Sequence, residues 1–262
     1  MARMVRTAKS TVVLLVILLS ITAILISTNI TQGNGLDYWW PMFHCDAQRT
    51  GFSATSPPDI NYTLWKFKLF EFGSLTTMAS PVAVDNKVYV TVPFLRCLNA
   101  STGEEIWSNS TIGMHTLAPA VADGKVFVCN SSSIHCLDAN TGAHLWNFTT
   151  DNEFTKHNSA ATAIDGKTFI GNEGGVWCLN ATTGNQIWYT PNPALGPVAI
   201  NGDRVFTAGY EVYCLNATTG LELWSHSVGF QIWASPAISD GRVFTGSGIF
   251  PEGNGILYCL NE

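Results

Sequence analysis

The sequence predicts an all-β fold, a β-propeller of five four-stranded antiparallel blades preceded by an N-terminal transmembrane or signal helix. Three observations predict it. A motif recurs with its cysteine at Cys97, Cys136, Cys178, Cys214 and Cys259, a spacing of 36 to 45 residues that matches one propeller blade. Two-residue Asx turns punctuate the short apolar runs between motifs, as hairpins require. The chain is 46% hydrophobic but only 12% charged, which suits short strands and tight turns rather than helices with charged outer faces.

The helix comes first. Arg3, Arg6 and Lys9 precede residues 11–30, a run without any charge. At ~1.5 Å per residue this run reaches roughly 30 Å, the thickness of a bilayer's hydrocarbon core. Two readings follow for residues 1–30. One is an uncleaved signal anchor, favoured because Ser27, Thr28, Asn29 and Ile30 offer no small-x-small cleavage site. The other is a cleaved signal peptide with residues 12–26 as its apolar core. Basic residues hold the N-terminal flank in the cytoplasm, so both readings export the remainder. The expected localisation is the cell membrane, with a single pass and an extracytoplasmic propeller, or secretion if the helix is removed. Residues 31–59 read as a lead-in segment and residues 60–262 as the propeller.

Each blade reads as four strands. The first is apolar, as in Ser80-Pro-Val-Ala-Val84, and ends in Asp85-Asn86, Asp123-Gly124, Asp165-Gly166 or Asp240-Gly241, with Asn201-Gly202 as a variant. Such pairs tolerate the positive φ angles of a type I′ hairpin. The second strand starts at a basic residue, and the third carries Cys-Leu. The fourth ends at Trp107, Trp146, Trp188 or Trp224. Between the last two lies Asx-Ala-x-Thr-Gly, whose Asx side chain bonds the backbone two residues on. Its glycines (Gly103, Gly142, Gly184, Gly220) accept a left-handed conformation. One indole per blade can fill the wedge beside the next, burying up to ~250 Å². At ~25 cal/mol/Å² that contributes several kcal/mol per seam. The fifth copy stops after its third strand. Residues 63–69, with Trp65 at the expected offset, are expected to supply its missing strand and close the ring.

The pattern Cys-Leu-Asx-Ala-x-Thr-Gly-x-x-x-Trp resembles the PQQ repeat of quinoprotein-type, BamB-like β-propellers. Residues 39–53 resemble the opening segment of archaeal cell-surface members of that group. The resemblance implies the fold; its members include PQQ- and calcium-dependent dehydrogenases and also scaffolds of the BamB kind. The enzymes often carry two adjacent cysteines over the ring centre and usually have eight blades. Here no two cysteines are adjacent, and the chain has 262 residues. The expectation is therefore a non-catalytic, cofactor-free module that binds or scaffolds protein or glycan partners at the cell surface. The alternatives are a quinoprotein oxidoreductase using PQQ and calcium, and a structural element of a cell-surface layer. A net charge of −6 without a basic stripe argues against nucleic acid.

Candidate site residues follow from position in the repeat. The loops before each first strand and after each second strand share one face. His115 and His157 precede first strands, and Tyr210, Trp233 and Phe250 fall in the same variable loops; these five are the candidate binding residues. The in-phase cysteines read as small buried residues, since free Cys behaves as a small hydrophobe. Cys129 is out of phase and precedes Cys136 across one hairpin, so a disulfide and two unbridged thiols both stand as readings. No C-x-x-C spacing points to zinc, and no metal site is expected. Eight Asn-x-Ser/Thr sequons occur, of which Asn99, Asn180 and Asn216 belong to the repeat turn and Asn29 to the helix. Asn61, Asn109, Asn130 and Asn147 are the candidate glycosylation sites, which would make the protein a glycoprotein.

Overall fold

The computed structural model describes residues 42–49, 62–69, 79–91, 94–111, 117–130, 132–150, 159–229, 231–247 and 255–262. All belong to one compact unit spanning Tyr38–Glu262. The expected helix at residues 1–30 lies outside the described residues. Among the described residues no helix is long and apolar enough to cross a membrane.

The described residues of the unit are all-β, with nineteen strands in five antiparallel sheets ordered as simple meanders. Blade 1 contains β1 (Val82–Val84), β2 (Lys87–Val90), β3 (Leu95–Asn99) and β4 (Glu105–Asn109). Blade 2 contains β5 (Ala120–Ala122), β6 (Lys125–Cys129), β7 (Ser133–Asp138) and β8 (His144–Thr149). Blade 3 contains β9 (Thr162–Ile164), β10 (Lys167–Asn172), β11 (Gly175–Asn180) and β12 (Gln186–Thr190). Blade 4 contains β13 (Ala199–Asn201), β14 (Arg204–Ala208), β15 (Glu211–Asn216) and β16 (Glu222–Ser227). Blade 5 has three strands among the described residues, β17 (Ala237–Ser239), β18 (Arg242–Ser247) and β19 (Ile256–Asn261).

Local chemistry accounts for the hairpins. Asp85 and Asn86 both have positive φ, as do Asp123 with Gly124, Asp165 with Gly166 and Asp240 with Gly241, the requirement of a type I′ turn. Blade 4 differs from the expected Asn201-Gly202 turn. Asn201 pairs with Arg204, so the turn residues are Gly202 and Asp203, and only Gly202 has positive φ. That is the pattern of a type II′ turn, which wants glycine first. In the repeat turns the Asx oxygen accepts two backbone N–H groups, from Ser101 and Thr102 at Asn99 and from Thr182 and Thr183 at Asn180.

The core lies between blades. Val82, Tyr89 and Leu95 of blade 1 pack with Val121, Val126 and Leu137 of blade 2, with Trp107 against them. Four tryptophans latch onto the neighbouring turn in the same way. Trp65, Trp107, Trp146 and Trp188 donate their indole N–H to the carbonyls of Ala100, Ala139, Ala181 and Ala217, at 2.9 to 3.2 Å. The same rings lie over Gly103, Gly142, Gly184 and Gly220, where an added Cβ would come within 2.5 to 2.7 Å of an indole carbon. These glycines serve twice. They take the positive φ of the turn, and they leave room for the neighbouring ring.

The in-phase cysteines have a matching explanation. Cys136 stands opposite Phe127 on one side and Trp146 on the other, and the two rings lie 5.9 Å apart. Tyr89 and Trp107 flank Cys97 in the same way, and Phe169 and Trp188 flank Cys178. A small third-strand residue lets both rings settle on one face. Cys129 and Cys136 are not bridged. Cys129 registers with Ile134 and Cys136 with Phe127, so the two are diagonal across the ladder rather than opposite. Diagonal positions lie ~7–8 Å apart, beyond disulfide reach, and a backbone hydrogen bond from Ala161 faces the Cys129 thiol instead.

The expected ring closure is not seen. Residues 62–69 form no strand, and none pairs with β19, which among the described residues pairs with β18 alone. Trp65 nevertheless docks on the blade 1 turn, as Trp107 does on the blade 2 turn, and Phe67 lies 5.7 Å below the Arg96 guanidinium, while Tyr62 and Leu64 stay exposed; the seam contact with blade 1 forms without a ladder to β19.

Candidate functional site

The strands that begin each blade converge on one axis, and consecutive ones touch, β1 with β5, β5 with β9 and β13 with β17. A small residue followed by proline recurs just before four of them, at Ser80-Pro81, Ala118-Pro119, Gly196-Pro197 and Ser235-Pro236. Small side chains suit a place where five backbones crowd together. Proline suits a strand start, where its missing N–H breaks no ladder bond. Gly196 shows the crowding most clearly, because an added Cβ would lie 2.7 Å from the Trp233 carbonyl oxygen.

These residues open onto one cavity of about 550 Å³ at the axis. All five blades contribute, through Ala79 and Ser80, Leu117 and Ala118, Ser159 and Ala160, Leu195 and Pro197, and Trp233 to Ser235. Phe43 and His44 complete the lining, with their rings stacked 4.0 Å apart.

Phe43 and His44 are carried by residues 42–49, part of the expected lead-in segment, which bond to the inner strands of several blades. The Ile200 N–H donates to the Ala47 carbonyl at 2.7 Å, and the Ile238 N–H to the Gln48 carbonyl at 3.0 Å. Arg49 is 2% exposed. Its guanidinium donates to the carbonyls of Val198, Ala161 and Phe43 and to the Thr162 hydroxyl. A buried charge needs such a full set of acceptors. Burial pulls its pKa down to about 10, an effect that Asp46 opposes, so it remains a cation at neutral pH. His44 is held below the usual imidazole value, chiefly by desolvation and then by Arg49, with Asp46 again opposing. His44, Cys45 and Arg49 all have positive φ, at 58°, 74° and 62°. For residues with a Cβ this costs roughly 1–2 kcal/mol each, so the segment is held in shape by its tertiary bonds.

The candidate binding residues divide. Trp233 stands on the cavity wall and is 57% exposed. Tyr210 is exposed beside the same rim, where its hydroxyl accepts from Gln231 at 2.8 Å, two residues before Trp233. His115, His157 and Phe250 lie outside the described residues. Sequence reasoning missed Phe43, His44 and Arg49. The repeating small-residue–proline pairs were the available signal for the cavity's walls; nothing periodic marks its floor. Of the candidate glycosylation sites, Asn147 is exposed on β8. The Asn109 amide donates to the Gly142 carbonyl at 2.9 Å, and the Asn130 oxygen accepts from Ser132 and Ser133. Asn61 lies outside the described residues.

A PQQ-repeat family described as outer membrane protein assembly factor BamB matches residues 61–194 and 172–261. No curated protein matches the chain. Among solved structures, the quinohemoprotein alcohol dehydrogenase of Comamonas testosteroni is 18% identical with a TM-score of 0.62, over 85% of this chain and 46% of that one. The quinohemoprotein alcohol dehydrogenase ADHIIG of Pseudomonas putida HK5 is 17% identical with a TM-score of 0.61, over 84% and 44%. A europium-containing methanol dehydrogenase is 15% identical with a TM-score of 0.58, over 84% and 54%. The chain thus spans about half the length of these structures, and at such identity the likeness is one of fold. It corrects one expectation. The chain was expected not to be an enzyme, yet the structures that share its fold include dehydrogenases. Missing adjacent cysteines and short length are no ground for excluding catalysis, because activity is set by loops grafted on a fold.

Proposed function

The chain belongs to the PQQ-repeat family described as outer membrane protein assembly factor BamB, and from that premise we propose that it is a propeller module that binds protein partners at its axial face. The observation that carries this reading is the cavity to which all five blades contribute, with an exposed tryptophan on its wall. A concave apolar site with an exposed aromatic beside it is the usual anchor of a protein interface. The module works outside the cytoplasm, held to the membrane by residues 1–30 or released from it. That setting is supported by the basic flank and the uncharged run behind it.

PQQ with calcium is not the ligand this lining suits. PQQ is a planar tricarboxylate, and calcium takes six to eight oxygen ligands, carboxylates prominent among them. Among the described lining residues there is no carboxylate, no Lys and no Arg.

A photo-crosslinking aromatic residue placed at position 233, which keeps a ring on the cavity wall, tests the reading against the same residue placed at Leu145 on the outer strand of blade 2. Covalent protein adducts are expected from position 233 and not from position 145. Equal yields from both positions, or none from position 233, would overturn it. Exclusion of external protease from the propeller in intact cells would overturn the export.

A further inference from the structure

The axial cavity is apolar in a stricter sense than its residue types suggest. Ala79, Ala118, Ala160, Leu117, Leu195 and Pro197 form much of its wall. Two of its serines are already engaged within the protein. The Ser159 hydroxyl accepts from the Gly171 N–H at 3.0 Å and donates to the Ala160 carbonyl at 3.4 Å. The Ser235 hydroxyl donates to the Pro197 carbonyl at 2.8 Å. A sugar or a charged group entering here would lose its water and find few partners, which is a penalty rather than a gain.

The floor points the same way. His44 is the titratable side chain among the described lining residues, and desolvation together with Arg49 favours its neutral form. Two successive residues with a Cβ, His44 and Cys45, are held in the left-handed region at this floor. Strain of that kind persists where the surrounding structure imposes it, and it concentrates at ligand clamps. Its effect here is to present the stacked Phe43 and His44 rings to the cavity. Trp233 adds a third aromatic surface on the wall.

We propose that this cavity is a socket for an uncharged apolar side chain, aliphatic or aromatic, presented by a polypeptide partner. The inference rests on the protein-binding reading above and names the chemistry of its anchor.

The test uses the whole chain and the neutral fluorophore N-phenyl-1-naphthylamine as the first probe. The dye is expected to bind with one-to-one stoichiometry. Blocked pentapeptides with a central Trp, Phe or Leu should displace it at least tenfold better than those with Lys or Glu. Ala234→Glu, a change at an exposed wall residue, should weaken both dye and peptide at least tenfold while the circular dichroism spectrum is unchanged. Trp233→Ala serves as a second variant with the same expected loss. Absence of dye binding, or binding indifferent to both variants, would overturn the socket. Displacement by oligosaccharides but not by peptides would overturn it in favour of a sugar site. Displacement by free fatty acid but by none of the peptides would overturn the polypeptide source. The crosslinking assay separates the two claims. Adducts at position 233 that survive Ala234→Glu would sink the socket and leave protein binding standing. Dye binding without any adduct would sink the partner and with it the polypeptide anchor.

Discussion

Residues 213–216 and 258–261 are the same tetrapeptide, Tyr-Cys-Leu-Asn, in the third strands of blades 4 and 5. In blade 4, Cys214 and Leu215 are both 0% exposed. In blade 5, Cys259 is exposed and Leu260 half-buried. Their second-strand neighbours are alike, since Phe206 stands opposite Cys214 and Phe244 opposite Cys259. What differs is the next layer out. β16 covers β15 and places Trp224 opposite Cys214, whereas no fourth strand covers β19 among the described residues. Burial of the third strand is therefore conferred by the fourth strand and not by the tetrapeptide.

Tryptophan substitutions should break this comparison most sharply. Trp188 is 7% exposed and bonds to the blade 4 turn through Ala217, whereas Trp224 is only partly buried and, with Leu260 of the uncovered blade, packs against one buried cluster. Trp188→Ala is expected to cost about 3–5 kcal/mol in urea unfolding, and Trp224→Ala distinctly less. Equal losses would mean that the docked seam contributes nothing special. Within the shared tetrapeptide, Leu215→Ala should cost about 2–5 kcal/mol and Leu260→Ala less than half of that, measured in the same way. The seam glycine comes next. Gly220 has φ +73° and an added Cβ would sit 2.7 Å from the Trp188 ring, so Gly220→Ala should cost at least about 1–2 kcal/mol. Gly241→Ala meets nothing within 4 Å and reports the φ cost alone.

The smallest effect is chemical. Burial pushes the Cys214 thiol from 9.0 up to about 11, with Arg204 opposing. A thiol raised in the folded state contributes its stability below pH 9 and loses it as the pH climbs towards 11. Cys214→Ala should therefore flatten the alkaline decline in stability by on the order of 1.4 kcal/mol per pH unit across that window, less solvent screening. At neutral pH, maleimide should label Cys259 at least tenfold faster than Cys214 in the native protein. Equal labelling would show that β15 opens as readily as β19.

The axis and the rim were unequally legible in the sequence. Trp107, Trp146 and Trp188, with the glycines four residues before them in their turns, repeat at a fixed offset, so their shared role could be read without coordinates. Trp233 was legible as well, because it breaks that phase. Phe43, His44 and Arg49 were not, since they occur once and act on strands more than a hundred residues away, as in the Arg49 bond to Val198. The hairpin of blade 4 was misplaced by one residue, because Asn201-Gly202 and Gly202-Asp203 are both acceptable turn pairs and strand register selects between them.

By itself the sequence determined the blade: its length, its strand order, its Asx turns and the indole placed at the seam with the next blade. These depend on contacts within one repeat or between adjacent repeats, which periodicity exposes. Tertiary structure alone decided where the lead-in residues go, that five small-residue corners enclose an apolar cavity, and that one Tyr-Cys-Leu-Asn is buried while its twin is not. Those outcomes depend on which surfaces meet at long range, and a tetrapeptide carries no record of what will cover it.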